Sequence, residues 1–280
     1  MSATVAIAYD FDGTLAPGNM QEHSFLPKLG VTDPKTFWDK CNQLAVDQQG
    51  DRVLTYMHRM LRDAEHAELP MRKQDWIEHG RDLRLFPGVE DWFPRITAAG
   101  AARGLKVVHY VISSGLREMI EGSTIRRHLA AVFASGFLYD ASGVAVGAAV
   151  AVNYTTKTQY LFRINKGALD LADDTAVNAY QPPEDRAVPF ANMVFIGDGD
   201  TDIPSFRVVK EQGGHSIAVF PAEDTARAAK GERLIEDKRV HCAVVADYSA
   251  GAELERRVLA VLDLVAARAI VTGSANATPA

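Results

Sequence analysis

An α/β fold, a mostly parallel sheet with helices on both faces, is what this sequence predicts, and two observations carry the prediction. Five short runs rich in Val and Ile are nearly continuous in hydrophobicity, as strands buried on both faces of a sheet are: Val5–Tyr9, Lys106–Ile112, Met193–Ile196, Ser216–Phe220 and Val240–Ala246. Helical patterns such as Leu116–Leu129 and Lys166–Val177 lie between most of them, so strand and helix alternate. In such sheets ligands bind beyond the carboxyl ends of the strands, which directs attention to the residues just after each run.

The first run is followed by a break in the alternation. From about Pro17 to Phe86 helical spacing dominates: Val53, Met57, Met60 and Leu61 fall at i, i+4, i+7 and i+8, with Arg52, His58, Arg59 and Arg62 between them. Pro87-Gly88 closes this stretch, and it reads as a small helical domain inserted after the first strand. Farther on, Asp140-Ala141-Ser142-Gly143 sits between two strand-like runs and predicts a β-hairpin over Phe133–Val152. The small, polar residues 273–280 are expected to fray.

Composition narrows the function. Across 280 residues, 36 acids against 30 bases give a formal charge of −6, so a protein built to neutralise nucleic-acid phosphates is disfavoured. The two cysteines, Cys41 and Cys242, belong to no CxxC or Cys/His cluster, which speaks against a disulfide framework or a structural zinc. No stretch approaches the roughly 18 apolar residues of a membrane helix; Asp263 and Arg268 interrupt the run from Val258 to Val271. The N-terminal MSATVAIAYD lacks the basic region of a secretory signal, so a cytoplasmic protein is expected. The eight histidines show no metal-binding spacing.

Chemistry concentrates at the strand ends. The first strand runs into Asp10-Phe11-Asp12-Gly13-Thr14-Leu15, where Gly13 permits the turn that lets both carboxylates face one site. The run at 193–196 leads into Gly197-Asp198-Gly199-Asp200-Thr201-Asp202. A calcium EF-hand would need Gly at its sixth position and Glu at its twelfth; Ile203 and Val209 stand there. Asp10, Asp198 and Asp202 at neighbouring strand ends would instead offer hard oxygen ligands to Mg²⁺, with Asp200 left to solvent. The run at 106–112 ends in Ser113-Ser114-Gly115 ahead of a helical pattern, a hydroxyl and backbone N–H groups suited to phosphate. Lys166, read as opening another helix, could place an ammonium over the same anion. Lys157 is its rival, as Ser114 is for Ser113.

In this order the four elements resemble the haloacid dehalogenase superfamily, in its branch of aspartate-nucleophile phosphohydrolases, with DFDGTL and GDGDTD the specific signatures. The resemblance spans nearly the whole chain. It implies a Rossmann-like core of residues 1–15 and 87–280, and a C1-type helical cap over 16–86. It further implies Asp10 as the nucleophile that takes the phosphoryl group and Asp12 as general acid and then base. Mg²⁺ would be held by Asp10, the backbone carbonyl of Asp12 and Asp198, with Asp202 behind them, while Ser113 (or Ser114), Gly115 and Lys166 (or Lys157) would hold the phosphoryl oxygens. The expected activity is hydrolysis of a small phosphorylated metabolite.

Motif order and cap position are similar to those of phosphoserine phosphatases. Those enzymes carry an early cap glutamate for the substrate's amino group; here the nearest acid, Glu22, lies off that spacing, which argues against phosphoserine. Phe25, Phe37, Trp38, Tyr56 and Met57 read as the cap's own core, and Arg52, Arg59, Arg62 and Arg84 as solvated. A carbon–halogen hydrolase would need neither Asp12 nor a metal ligand such as Asp198, and a phosphate-sensing module would not need the full set of polar groups.

Overall fold

The computed structural model describes residues 2–273, so the expectation for 273–280 falls almost entirely outside the described residues. Seven strands form one sheet in the order β4-β3-β2-β1-β5-β6-β7. They are β1 (Thr4–Tyr9), β2 (Lys106–Leu116), β3 (Leu129–Tyr139), β4 (Ala145–Val150), β5 (Met193–Gly197), β6 (His215–Phe220) and β7 (Cys242–Val245). All pairings are parallel except β3 with β4. The five predicted runs are all strands of this sheet.

β1 lies between β2 and β5, so the chain leaves it in one direction for β2–β4 and in the other for β5–β7. The crevice at such a reversal, beyond the strand ends, is where this architecture takes ligands. β1 is buried on both faces by simple alternation. Val5, Ile7 and Tyr9 enter one core, with Trp92 and Phe93 of α5 (Val89–Ala101) and Val258 and Leu262 of α11 (Glu253–Val271). Ala6 and Ala8 enter the other, with Tyr160 and Ile164 of α7 (Thr156–Lys166) and Phe206 of α9 (Ile203–Glu211). The period of two in Cβ direction thus makes a central strand apolar throughout.

Between β1 and α5 the chain is helical, as its periodicity predicts, in α1 (Phe25–Lys28), α2 (Pro34–Asp47), α3 (Arg52–His66) and α4 (Lys73–His79). Asp33 caps α2 with Pro34 at the first helical position, and Asp51 caps α3 by accepting from the N–H groups of Val53 and Leu54. Val53, Met57 and Met60 form the buried stripe of α3. The β3–β4 hairpin turns at Asp140, whose carboxylate accepts from the N–H groups of Ser142 and Val144, with Gly143 at φ 77°. It also meets the helical segment: the Lys73 N–H donates to Gly143 O and the Ala145 N–H to Met71 O.

Two helical expectations need correction. The pattern over Leu116–Leu129 yields only the short α6 (Arg117–Gly122) and a 3₁₀ turn at Arg126–His128. Gly122 ends α6 where a side chain would overlap the carbonyl oxygen of Ile77, so α4 and α6 cross at backbone contact. The helix expected over Lys166–Val177 instead ends at Lys166 as α7, with Gly167 at φ 75° closing it, and only α8 (Asp174–Asn178) follows. The remaining α-helix among the described residues, α10 (Thr225–Glu236), connects β6 to β7 and packs against both. Among the described residues no helix is long and apolar enough to cross a membrane.

Candidate active site

The ends of β1, β2 and β5 converge on a cavity of about 290 Å³ lined by Asp10, Asp12, Ser113, Ser114 and Asp198. Asp10 follows β1 and is held by both neighbours: its N–H donates to Ile196 O at 2.9 Å, and its Oδ1 accepts from the Phe11 N–H at 2.7 Å. Asp12 is half-buried, its Oδ1 accepting from the Met20 N–H at 2.8 Å. Gly13, at φ 72°, makes the turn just after them; a Cβ there would strike the Asp198 carboxylate, so only glycine lets the two loops touch.

Asp10, Asp198 and Asp202 each present a carboxylate oxygen within 4.8 Å of the others. Such clustering raises all three carboxyl groups, chiefly through burial. Asp10 is raised against the pull of Lys157. Asp198 is pushed up to about 6, with Asp202 adding to the burial effect, and Asp202 likewise to about 6, with Asp10 adding. Asp12 is raised well above the carboxylate range by burial and then by the charge of Asp10.

Of the two rival lysines, Lys157 is the one at the site. Its Nζ donates to Asp10 Oδ2 and Asp202 Oδ1, each at 2.7 Å, and the side chain is fully buried. Burial disfavours its charge, but Asp10 and Asp202 outweigh that and raise it. Lys166 sits elsewhere, contrary to expectation, with its Nζ donating to the carbonyls of Val177 and Ala179. The reason is helical rise. α7 begins at Thr156, so Lys157 stands in its first turn, beside the strand ends, and Lys166 lies about 13 Å farther along the axis. The sequence held the signal, since Lys166-Gly167 is a helix stop and Thr155-Thr156 a helix start.

Asp202 is spoken for on both oxygens, Oδ1 by Lys157 and Oδ2 by the N–H groups of Asp198 and Gly199 at 3.1 and 3.2 Å. It therefore braces the loop and the lysine. Asp10 is likewise engaged on both oxygens, by the Phe11 N–H and by Lys157, while Asp198 is engaged through Oδ2 alone, by Arg227. Asp198 is thus the freest of the three carboxylates for a cation, and Asp10 stands beside it at the cavity. Their hard oxygens suit Mg²⁺. Asp200 is exposed, paired at 2.9 Å with Lys230.

Ser113 is buried, and its Oγ accepts from the Gly115 N–H at 3.0 Å; the Leu116 N–H is turned to the sulfur of Met20. Those two amides are engaged within the protein. The hydroxyl of Ser114, a residue that lines the cavity, is by contrast buried without a partner, while its carbonyl accepts from the hydroxyls of Tyr56 and Ser135. Sequence reasoning passed over two cations here. Arg227 Nη1 lies 2.8 Å from Asp198 Oδ2, and Lys230 joins it in lining the cavity from α10. The loop after β6, with Asp224 as helix cap, was the place where the strand-end rule could have found them.

A second cavity, of about 320 Å³, adjoins the first and shares Asp12, Asn19, Ser114 and Thr201 with it. Its other walls come from α2 and α3, where Trp38 and Tyr56 face it, and from Asn153 and Tyr154 ahead of α7. Trp38 and Tyr56 are thus cavity walls, whereas Phe25, Phe37 and Met57 are buried core of the helical segment as expected. Asn153 Nδ2 donates to Asp51, tying the start of α3 to the sheet.

Comparison with known proteins agrees with this architecture. A family model described as haloacid dehalogenase-like hydrolase matches residues 7–207. An uncharacterized protein of Borreliella burgdorferi is 27% identical over 281 aligned positions, covering 89% of this chain and 93% of that one. Solved structures of low identity share the fold. A HAD family hydrolase from Salmonella enterica subsp. enterica serovar Typhi matches with a TM-score of 0.56 at 17% identity, over 87% of this chain and 67% of that one. A substrate-bound phosphoserine phosphatase matches at 0.52 and 15%, over 87% and 94%.

Proposed function

The chain belongs to the haloacid dehalogenase-like hydrolases, and from that premise we propose that it is a Mg²⁺-dependent phosphatase of a small phosphate monoester, working through an aspartyl-phosphate on Asp10. The observation that carries this reading is the meeting of Asp10, Asp12, Asp198 and the two serines on one cavity, with Lys157 buried against the nucleophile.

Asp10 attacks phosphorus, and the bond from phosphorus to the substrate's ester oxygen breaks as that oxygen takes the proton of Asp12. Asp12 suits this role because burial and the charge of Asp10 favour its protonated form, and because it lies at the boundary of the two cavities, where an ester oxygen would sit between phosphoryl group and organic remainder. In the second step Asp12, now ionised, takes a proton from water as the water oxygen bonds phosphorus and the bond to Asp10 breaks, releasing inorganic phosphate.

Lys157 offsets the negative charge gathering on Asp10 and the phosphoryl oxygens, and the free hydroxyl of Ser114 has an oxygen to bond. Asp10 and Asp198, with the backbone carbonyl of Asp12, would hold Mg²⁺, which when bound screens the repulsion between carboxylate and phosphate. The helical segment 16–86, acting as a cap, walls the second cavity and keeps bulk water from the acyl phosphate until the leaving group departs. A carbon–halogen hydrolase has no use for a proton donor at that boundary.

Release of phosphate from p-nitrophenyl phosphate, with and without Mg²⁺, tests the reading. Mg²⁺-dependent turnover that Asp10→Asn abolishes is expected; turnover surviving in that variant would overturn the nucleophile assignment.

A further inference from the structure

The cavity beside Asp12 is built for a particular kind of organic group. One polar side chain in its wall has an unmet need: Gln21 is only 1% exposed, and its amide oxygen has no hydrogen-bond partner. A buried amide end left unpaired costs free energy until a ligand supplies the bond. The Ser114 hydroxyl, at the junction of the two cavities, is in the same condition.

Charge points the same way. Among the described residues Asp12 is the one acid lining this cavity, and its task lies at the ester oxygen. The neighbouring acid, Glu22, has Oε1 engaged by Trp38 Nε1 at 2.7 Å and Asn19 Nδ2 at 2.6 Å. Glu22 is not part of this lining, so an ammonium group entering here would lose its water and meet, among the described residues, no carboxylate but that of Asp12. The one cation in the lining among the described residues, Arg52, is solvent-exposed. What the walls do offer is amides at Asn19, Gln21 and Asn42, and the rings of Trp38 and Tyr56 at 5.7 Å and 76° to each other. Hydroxyls both donate and accept, so they satisfy an amide whichever way it is turned. The C–H faces of a hydroxylated carbon chain or ring suit aromatic walls.

We infer that this cavity receives an uncharged, hydroxyl-rich leaving group, so that the substrate is the phosphate monoester of a polyol or a monosaccharide. At about 30 Å³ per water-sized unit, a cavity of about 320 Å³ takes roughly ten heavy atoms, the size of a four- to six-carbon polyol. The inference rests on the phosphatase reading and deepens it.

The test compares kcat/KM of the Mg²⁺-loaded protein for erythritol phosphate, a pentitol phosphate and a hexose 6-phosphate with those for O-phosphoserine and O-phosphoethanolamine, with p-nitrophenyl phosphate as reference. The best hydroxylated ester should exceed both ammonium-bearing esters at least tenfold. Gln21→Leu should lower kcat/KM for that ester at least tenfold more than for p-nitrophenyl phosphate, with most of the loss in KM. Asn42→Leu, on the exposed side of α2, should shift the same ratio in the same direction and stands in if Gln21→Leu does not fold. Equal or better turnover of phosphoserine overturns the inference while leaving the phosphatase intact, as does a ratio that neither variant moves. Failure to hydrolyse even p-nitrophenyl phosphate overturns the phosphatase reading itself, and this inference with it.

Discussion

The ammonium of Lys157 lies 2.7 Å from Asp10 Oδ2 with both side chains buried, and the same ammonium lies 2.7 Å from Asp202. One cation thus ties the first turn of α7 to the ends of β1 and β5. Removing it leaves two buried carboxylates without compensation, a loss on the order of 3–5 kcal/mol for a buried pair broken on one side. Lys157→Met should lower turnover of p-nitrophenyl phosphate by roughly 10²–10³, the scale of losing one donor to a developing oxyanion, and should lower the urea midpoint. Lys166→Ala removes only bonds to the carbonyls of Val177 in α8 and of Ala179 just after it, and should change turnover less than about twofold, as for substitutions away from the site generally. Steady-state kinetics and urea titration of both variants check this pair of outcomes, and the reverse pattern would falsify the assignment.

Asp12 predicts a dependence on the leaving group. A p-nitrophenolate departs readily without a proton, whereas an alkoxide does not. Asp12→Asn should therefore cost about 10²–10⁴ in kcat for an alkyl phosphate and markedly less in the first step with p-nitrophenyl phosphate. Burst kinetics separate that first step from the release of phosphate, which also needs Asp12. Equal losses in the first step for both esters would remove Asp12 from the role of acid.

The strands, the hairpin and the helical stretch after β1 were legible because each rests on local pattern: continuous apolar runs, an Asx turn at Asp140, a heptad-like stripe at Val53, Met57 and Met60. So were Asp10, Asp12 and Asp198, because the strand ends that carry them are read directly from the runs before them. Lys157 was not preferred, since choosing between two lysines nine positions apart depends on where α7 starts, and helix boundaries are the least certain feature of a sequence. Arg227 was missed for a different reason. It reaches Asp198 from a helix 29 positions away, and nothing local marks a side chain whose partner is set by sheet order. The orphaned amide of Gln21 is likewise a property of packing alone.

His109 makes stability sensitive to acid. Trp92 Nε1 donates to Tyr9 Oη at 2.8 Å, so the Tyr9 hydroxyl donates onward to His109 Nδ1 at 3.0 Å, and His109 Nε2–H donates to Thr97 Oγ1 at 3.1 Å. That chain needs a neutral imidazole; a second N–H would confront the Tyr9 hydroxyl. Burial accordingly pushes His109 down to about 4 from its ordinary 6.5. Between those values the unfolded chain binds the proton and the folded one does not, so stability is full above about pH 6.5, falls as pH drops toward 4 and then levels. The loss from this group is on the order of 3 kcal/mol. The carboxyl groups of the site, which burial raises, act in the opposite sense over the same range, so the His109 share is read by difference. In urea unfolding at pH 7 and pH 5, His109→Gln, which cannot titrate, should lose less stability on acidification than the unsubstituted protein. An unchanged slope in that variant would assign the acid sensitivity elsewhere, to His79 or His215, which burial also lowers to about 4.

Gly80 and Gly122 form a further point where the helical segment meets the sheet domain. A Cβ on Gly80 would overlap the carbonyl oxygen of Met119, and one on Gly122 the carbonyl oxygen of Ile77, so each glycine seats the other's helix. Both obstacles are backbone, which cannot swing aside as a side chain would. Gly80 has φ −71°, a conformation open to alanine, so for it the penalty is steric and not conformational. Gly80→Ala should therefore cost about 1–3 kcal/mol, the range for overpacking a tight core, and Gly122→Ala a similar amount. Because the helices must move apart in either case, the double variant should cost clearly less than the sum of the two singles. Urea midpoints of the three proteins decide this. Strict additivity would mean that the two glycines serve separate contacts, and that α4 and α6 do not share the close crossing described above.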